Sequence, residues 1–265
     1  MSSSTVIQKI SAISFGAVLS VAALGAQQAQ AAPFSVTIEA PTVQESSLVT
    51  DPGANPATGV TVENFDGQTV VPNFQSNSQY YSSLNSSLGV YENSVIVKNE
   101  VWGGSKGSQY MEPNGKATLK LNSAQRYFGM WWSAGDATNI LDFYSGDSLL
   151  HSFTTADVIS FLQAKPDSSA YYGNPNANYQ GGNSYEPYAF LNFYADPNNL
   201  DVTFDKIVFT HAQFESDNHT IAKTYGKTSG TSIYEPASTP EPASILGLVG
   251  MSLLGLVSAR KRQQP

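Results

Sequence analysis

The middle of the chain alternates apolar and polar positions with the two-residue period of β-strands. Nine segments carry this pattern: residues 35–39, 59–64, 94–102, 117–121, 127–132, 139–144, 148–153, 188–194 and 202–210. They are rich in Val, Ile, Tyr, Phe and Thr, which suit a pleated, half-buried surface, and turn residues separate them. Pro113-Asn114-Gly115 and Ser145-Gly146-Asp147 read as hairpin turns, the second joining LDFY to SLLHSF. The period changes once. Thr154 or Thr155 can cap a helix with Asp157 in its first turn; Val158, Ile159, Phe161 and Leu162 form its apolar face, and Lys165-Pro166 stops it. Many short strands, one short helix near 155–164 and no βαβ alternation predict a mostly all-β domain. The expected architecture is an antiparallel β-sandwich, jelly-roll-like. The adjacent Trp131 and Trp132 must face opposite sides of their strand, one toward the core and the other expected to be semi-exposed.

Both ends break the pattern. Residues 1–31 read as a signal peptide: Lys9 supplies the positive charge, residues 10–24 the apolar stretch, and Ala29-Gln30-Ala31 the small-residue site before Ala32. At the other end, Pro240-Glu241-Pro242 precedes the uncharged apolar residues 243–259 and then Arg260-Lys261-Arg262. Seventeen helical residues at ~1.5 Å each span ~25 Å, a marginal crossing of a hydrocarbon core of ~30 Å. The basic triplet should stay on the cytoplasmic side. Neither proline can donate a backbone hydrogen bond, and Pro242 pushes Glu241 toward extended geometry, a form that a processing enzyme can grip. This three-part tail closely resembles the PEP-CTERM sorting signal. That resemblance implies processing by exosortase, a membrane cysteine protease, as well as by signal peptidase. The expected organisation is a signal peptide at 1–31, a β-sandwich at 32–222, a flexible linker at 223–239 and a sorting signal at 240–265.

Composition narrows the function classes. The chain has no cysteine, which excludes disulfides and thiolate metal sites. Charged residues make up 13%, about half the usual share of roughly 25%. From Ala32 to Ala259 there are nine basic and 21 acidic residues, a net charge of −12. Such a body repels phosphate backbones and anionic lipid surfaces, so nucleic acid is not an expected partner. Contact with a membrane is expected only through the cleavable C-terminal span.

Several segments invite chemistry. Gly103-Gly104-Ser105-Lys106-Gly107 fits G-x-S-x-G, but no helix pattern follows it as a nucleophile elbow requires, so a glycine-rich turn is expected. In Phe214–Ala222, FESDNHTIA, Asp217 and Asn218 offer hard oxygen ligands for Ca²⁺; the alternative is that Asp217 caps backbone amides at a strand end. The carboxylates form no pair that spacing alone can single out for glycosidase chemistry, because that mechanism depends on distance in space. The long stretch 164–187 carries Tyr171, Tyr172, Asn174, Tyr179 and Tyr185 with little charge. Tyrosine offers a flat apolar face and a hydroxyl, which suits a sugar ring; alternatively, these rings pack back onto the sandwich.

Residues 127–162 (YFGMWWSAGDATNILDFYSGDSLLHSFTTADVISFL), together with YYGNPN, EPYAFLNFYA, FDKIVF and FESDNHTIA, resemble a family of cyanobacterial exosortase-dependent surface proteins. The resemblance runs from about residue 61 to 222. It implies a surface location and a shared fold, and brings no catalytic residues with it. The expectation is therefore an exported, non-enzymatic surface or matrix protein that associates with glycan, exopolysaccharide included, or mediates adhesion. A polysaccharide hydrolase or lyase on the same scaffold, or a purely structural matrix component, remain the alternatives.

Overall fold

The computed structural model describes residues 34–70 and 77–234. The signal-peptide residues, among them Ala29, Ala31 and Ala32, and the tail with Pro240–Pro242 and Arg260–Arg262 lie outside them. Twelve strands form: β1 Phe34–Ile38, β2 Thr61–Glu63, β3 Ser78–Asn85, β4 Gly89–Val97, β5 Tyr110–Gln125, β6 Tyr127–Trp132, β7 Ile140–Ser145, β8 Ser148–Thr154, β9 Ala189–Ala195, β10 Phe204–Thr210, β11 Ser216–Ala222 and β12 Thr231–Tyr234. Two α-helices accompany them, α1 at Ser47–Thr50 and α2 at Thr155–Gln163.

All strand pairs are antiparallel, in the order β12-β1-β9-β6-β11-β5-β10-β7-β8, with β2 added on β11 and the β3–β4 hairpin on β5. The sheet curls over a single main core. Phe34 on β1 lies 4.8 Å, centroid to centroid, from Phe143 on β7, and Phe153 on β8 lies 4.9 Å from Phe193 on β9. Strands that distant in hydrogen-bonding order meet only if the sheet folds back on itself. The fold is mostly β and consistent with the expected all-β sandwich. Helix α2 forms where the period changes: Thr154 stands at its N-cap, and Val158 and Leu162 are buried against the core.

Three local expectations are corrected. Pro113-Asn114-Gly115 does not turn a hairpin. It lies inside β5, where Pro113–Thr118 stands opposite the shorter Glu92–Ser94 of β4, and Gly115 takes the left-handed φ of 76° that this bulge needs. Both tryptophans are fully buried: Trp132 in the main core and Trp131, on the other face, in a small cluster with Ala134, Tyr188 and Phe190. Residues 223–234, expected to be linker, belong to the domain. Tyr225 packs edge-on against Tyr194, Asn55 accepts hydrogen bonds from the backbone of Gly226 and Lys227, Ser229 donates to Glu39, and β12 pairs with β1. Gly, Ser and Thr there gave a linker-like composition, but the small side chains let the segment lie close to β1. The Gly146-Asp147 hairpin between β7 and β8 forms as expected.

Candidate functional site

Two of the sequence-predicted sites are structural. Asp217 is fully buried. Its Oδ2 accepts from the Ser105 amide at 2.7 Å and the Ser108 hydroxyl at 2.6 Å, and its Oδ1 from the Asn218 amide at 2.6 Å. Asn218 sits at φ 49° within a register shift of β11, a conformation asparagine tolerates, and donates to Gln44 O and Ser105 Oγ. These two residues clamp the Gly103–Gly107 turn to the sheet, and the Asp217 oxygens are spent on protein donors. The calcium reading is corrected accordingly. Among the described residues no three His, Cys, Asp or Glu side chains converge to hold a metal ion. Ser105 is buried beside Asn218. His219 lies in the core, its ring stacked 5.2 Å from Phe209 and its Nδ1 2.8 Å from the Tyr91 hydroxyl. Burial lowers its pKa to about 3.

The tyrosine-rich stretch also turns inward. Tyr171 is buried and donates to Glu39 O; buried Asn174 donates to Val101 O; half-buried Tyr179 donates to Asn99 O. Tyr172 packs on the main core. These four are therefore not available as glycan anchors, because a long polar stretch inside a compact domain has to satisfy its own backbone and hydroxyl groups. Tyr185 alone of the five stands out in solvent, at 71% exposure.

Tyr185 faces a cleft of about 330 Å³ that the sequence had not revealed. The register explains its position. Trp132 at the end of β6 stands opposite Ala189 at the start of β9 and Ser216 at the start of β11, and Ser216 pairs with Met111 at the start of β5. Four strand ends thus meet at one end of the sheet, and the cleft lies among the segments that enter and leave them. Glu112 comes from β5, Asp136 and Ala134 from the β6–β7 loop, Tyr185 and Glu186 from the approach to β9, Gln213 and Glu215 from the approach to β11, and Trp102 from the loop after β4. Ala134 also belongs to the buried Trp131 cluster.

The electrostatics are one-sided. Of the residues lining the cleft, four are acids and none is Lys or Arg. Glu215 is only 7% exposed and its Oε2 has no hydrogen-bond partner. Burial first, and then the charge of Glu112, raise its pKa to about 9. Burial followed by the charge of Glu100 raises Glu112 to about 7. The Tyr110 hydroxyl donates to Glu100 at 2.8 Å, and His211 Nδ1 lies 3.9 Å from Asp136 Oδ2. Trp102, 40% exposed, and Tyr185 are the exposed aromatic rings of the cleft. A flat apolar face beside carboxyl acceptors is the chemistry of a saccharide or organic-cation site. A signal for it did exist in the sequence, in Trp102 before two glycines and Glu215 two residues before Asp217, but only the topology joins them.

The folded part is thus an antiparallel β domain with an aromatic-flanked acidic cleft at one end of its sheet. Residues 238–263 match the family model for the PEP-CTERM protein-sorting motif. The protein is an exosortase-processed PEP-CTERM protein, exported and sorted to the cell surface. That match covers the tail and carries no information about the resemblance of residues 61–222 to cyanobacterial surface proteins. No curated protein and no solved structure matches the chain.

Proposed function

We propose that this PEP-CTERM protein is a non-enzymatic glycan-binding component of the cell surface or its exopolysaccharide matrix, holding a sugar unit in the Trp102–Tyr185 cleft. Signal peptidase cuts before Ala32, and residues 243–259 hold the chain in the inner membrane until exosortase acts. The observation that carries the reading is the pair of exposed rings, Trp102 and Tyr185, beside the four carboxylic side chains that line the cleft. One small site of this kind binds in the micromolar to millimolar range, roughly −8 to −4 kcal/mol, and many copies on one surface supply avidity. The test is retention of the exported protein on the producing cell's own exopolysaccharide. Trp102→Ala/Tyr185→Ala should lose retention while keeping the wild-type circular dichroism. No retention of the wild type would favour a purely structural matrix role.

A second reading rests on a specific observation: two carboxyl groups with raised pKa share the cleft. Two carboxyls in one cleft are the equipment of a glycoside hydrolase, in which Glu215 would protonate the leaving oxygen and a second, ionised carboxylate would activate water or attack the sugar. Release of reducing ends from the same polysaccharide, lost in Glu215→Gln, would establish it.

A further inference from the structure

The cleft is unusual in having acids on several walls and no lysine or arginine to answer them. Its acids come from separate segments, so no local backbone requirement explains their meeting there. Glu215 is the most telling of them. More than nine-tenths of it is buried, one carboxyl oxygen finds no donor, and its side chain lines the cleft. A buried polar atom without a partner is costly, and such an atom in a concavity marks the place where an occupant's donor belongs.

The occupant's chemistry follows from what surrounds that oxygen. A neutral sugar would supply hydroxyl donors but would bring no charge to let both acids ionise. A metal ion would need several carboxylates on one point, and no such group exists among the described residues. An ammonium group satisfies both acids at once, offers up to three donors, and is also attracted to the faces of Trp102 and Tyr185. We infer that the cleft is a receptor for a sugar unit bearing a free amine, with the ammonium on Glu215 and Glu112 and the ring on Trp102 or Tyr185. This deepens the glycan-binding reading and rests on it.

Binding of such a unit moves a proton. Unoccupied, Glu215 holds its proton at neutral pH because burial, and then the charge of Glu112, make ionising it costly; an ammonium offsets that cost, and the carboxyl proton leaves to solvent. The other titratable groups near it are Glu112 and Tyr110 on β5, Glu100 after β4, Asp136 on the β6–β7 loop, Glu186 and Tyr188 before β9 and His211 before β11.

The experiment is isothermal titration of the exported protein with two probes of equal length, a glucosamine tetramer and its fully N-acetylated counterpart. It is run at about pH 6.5 in buffers of different ionisation enthalpy. The expected result is at least tenfold tighter binding of the free-amine tetramer, with release of more than one proton, the amount falling by about one in Glu215→Gln. Glu112→Gln should weaken binding several-fold. Equal affinity for the two tetramers would overturn the ammonium assignment and leave the glycan site standing. Failure of both to bind at millimolar concentration would overturn both readings. A lysine amide that binds as tightly as the free-amine tetramer would keep the ammonium pocket but overturn the saccharide as its occupant.

Discussion

Replacing Glu215 by glutamine should make the empty protein more stable, and only above mildly acidic pH. In the fold the carboxyl has a pKa of about 9, against an ordinary value of 4.5. The folded protein therefore binds this proton more tightly than the unfolded chain does. Stability from the group is complete below pH 4.5 and is lost as pH rises toward 9. At pH 7 the gap of 2.5 pH units above 4.5, at 1.36 kcal/mol each, puts the loss at about 3 kcal/mol. Glutamine keeps the shape and cannot ionise. The variant should match the wild type near pH 4.5 and exceed it by about 2–3 kcal/mol at pH 7, the lower figure allowing for water that enters with the charge. For a domain of this size that is about 4–12 °C in Tm. His219 acts in the opposite sense, costing stability as pH falls from 6.5 toward 3, but it is common to both proteins and cancels in the comparison. Urea titrations of both proteins at pH 4.5 and 7 measure the difference. A variant equally or less stable at both pH values would refute the claim that the cleft holds a destabilised acid for use by a ligand.

Asp217→Ala should cost about 3 kcal/mol, since three short hydrogen bonds lose their acceptor, and the wild type should melt at one temperature with EDTA or with millimolar Ca²⁺; calorimetry reads both. Ending the chain after Ala222 should lower the urea midpoint clearly, because it removes β12, the Tyr225–Tyr194 contact and the Ser229–Glu39 bond; an unchanged midpoint would return the segment to linker status. Replacing Pro240, Glu241 and Pro242 by alanine should leave export intact and retain the tail. In the mature wild-type pool, mass spectrometry should find no peptide spanning 246–260.

How far the sequence could be read depended on whether a strand carries apolar or aromatic side chains. Strand β7 alternates, with Leu141 and Phe143 buried, and β6 and β9, buried at every position, are rich in aromatic rings, so all three were legible. Strand β3 was not: as an edge strand paired only with β4, it exposes most of SQYYSSLN and has no apolar row to display. Strand β11 lacks an apolar row for the opposite reason. It is central and buried at every position, yet Ser216, Asp217, Asn218, His219 and Thr220 are polar because each bonds or stacks inside the protein. The tyrosines of 164–187 pointed to a glycan surface by composition, and all but Tyr185 serve the loop itself. The cleft was invisible because Trp102, Glu112, Tyr185 and Glu215 are up to 113 positions apart and meet only through the pairing of β5, β6, β9 and β11. The sorting tail needed no fold to be recognised, since its motif, apolar run and basic triplet follow one another along the sequence.

The same pairing relates the cleft to the tail. Strand β9 starts at the cleft end with Ala189. Its antiparallel neighbour β1 therefore runs toward that end, placing Ile38 opposite Leu191. Strand β12 pairs antiparallel with β1, so it starts near the cleft end with Thr231 opposite Ile38 and runs away from it to Tyr234 opposite Val36. The chain thus leaves the sheet heading away from the cleft. From Tyr234 to Pro240 is six residues, a reach of at most about 21 Å even when fully extended. A 17-residue linker from 223 would have allowed about 60 Å and any orientation. With the shorter tether the domain stays within about 21 Å of Pro240. The candidate cleft and the end of β12 thus lie toward opposite ends of the sheet, and that separation follows from the fold of residues that composition alone had assigned to a linker.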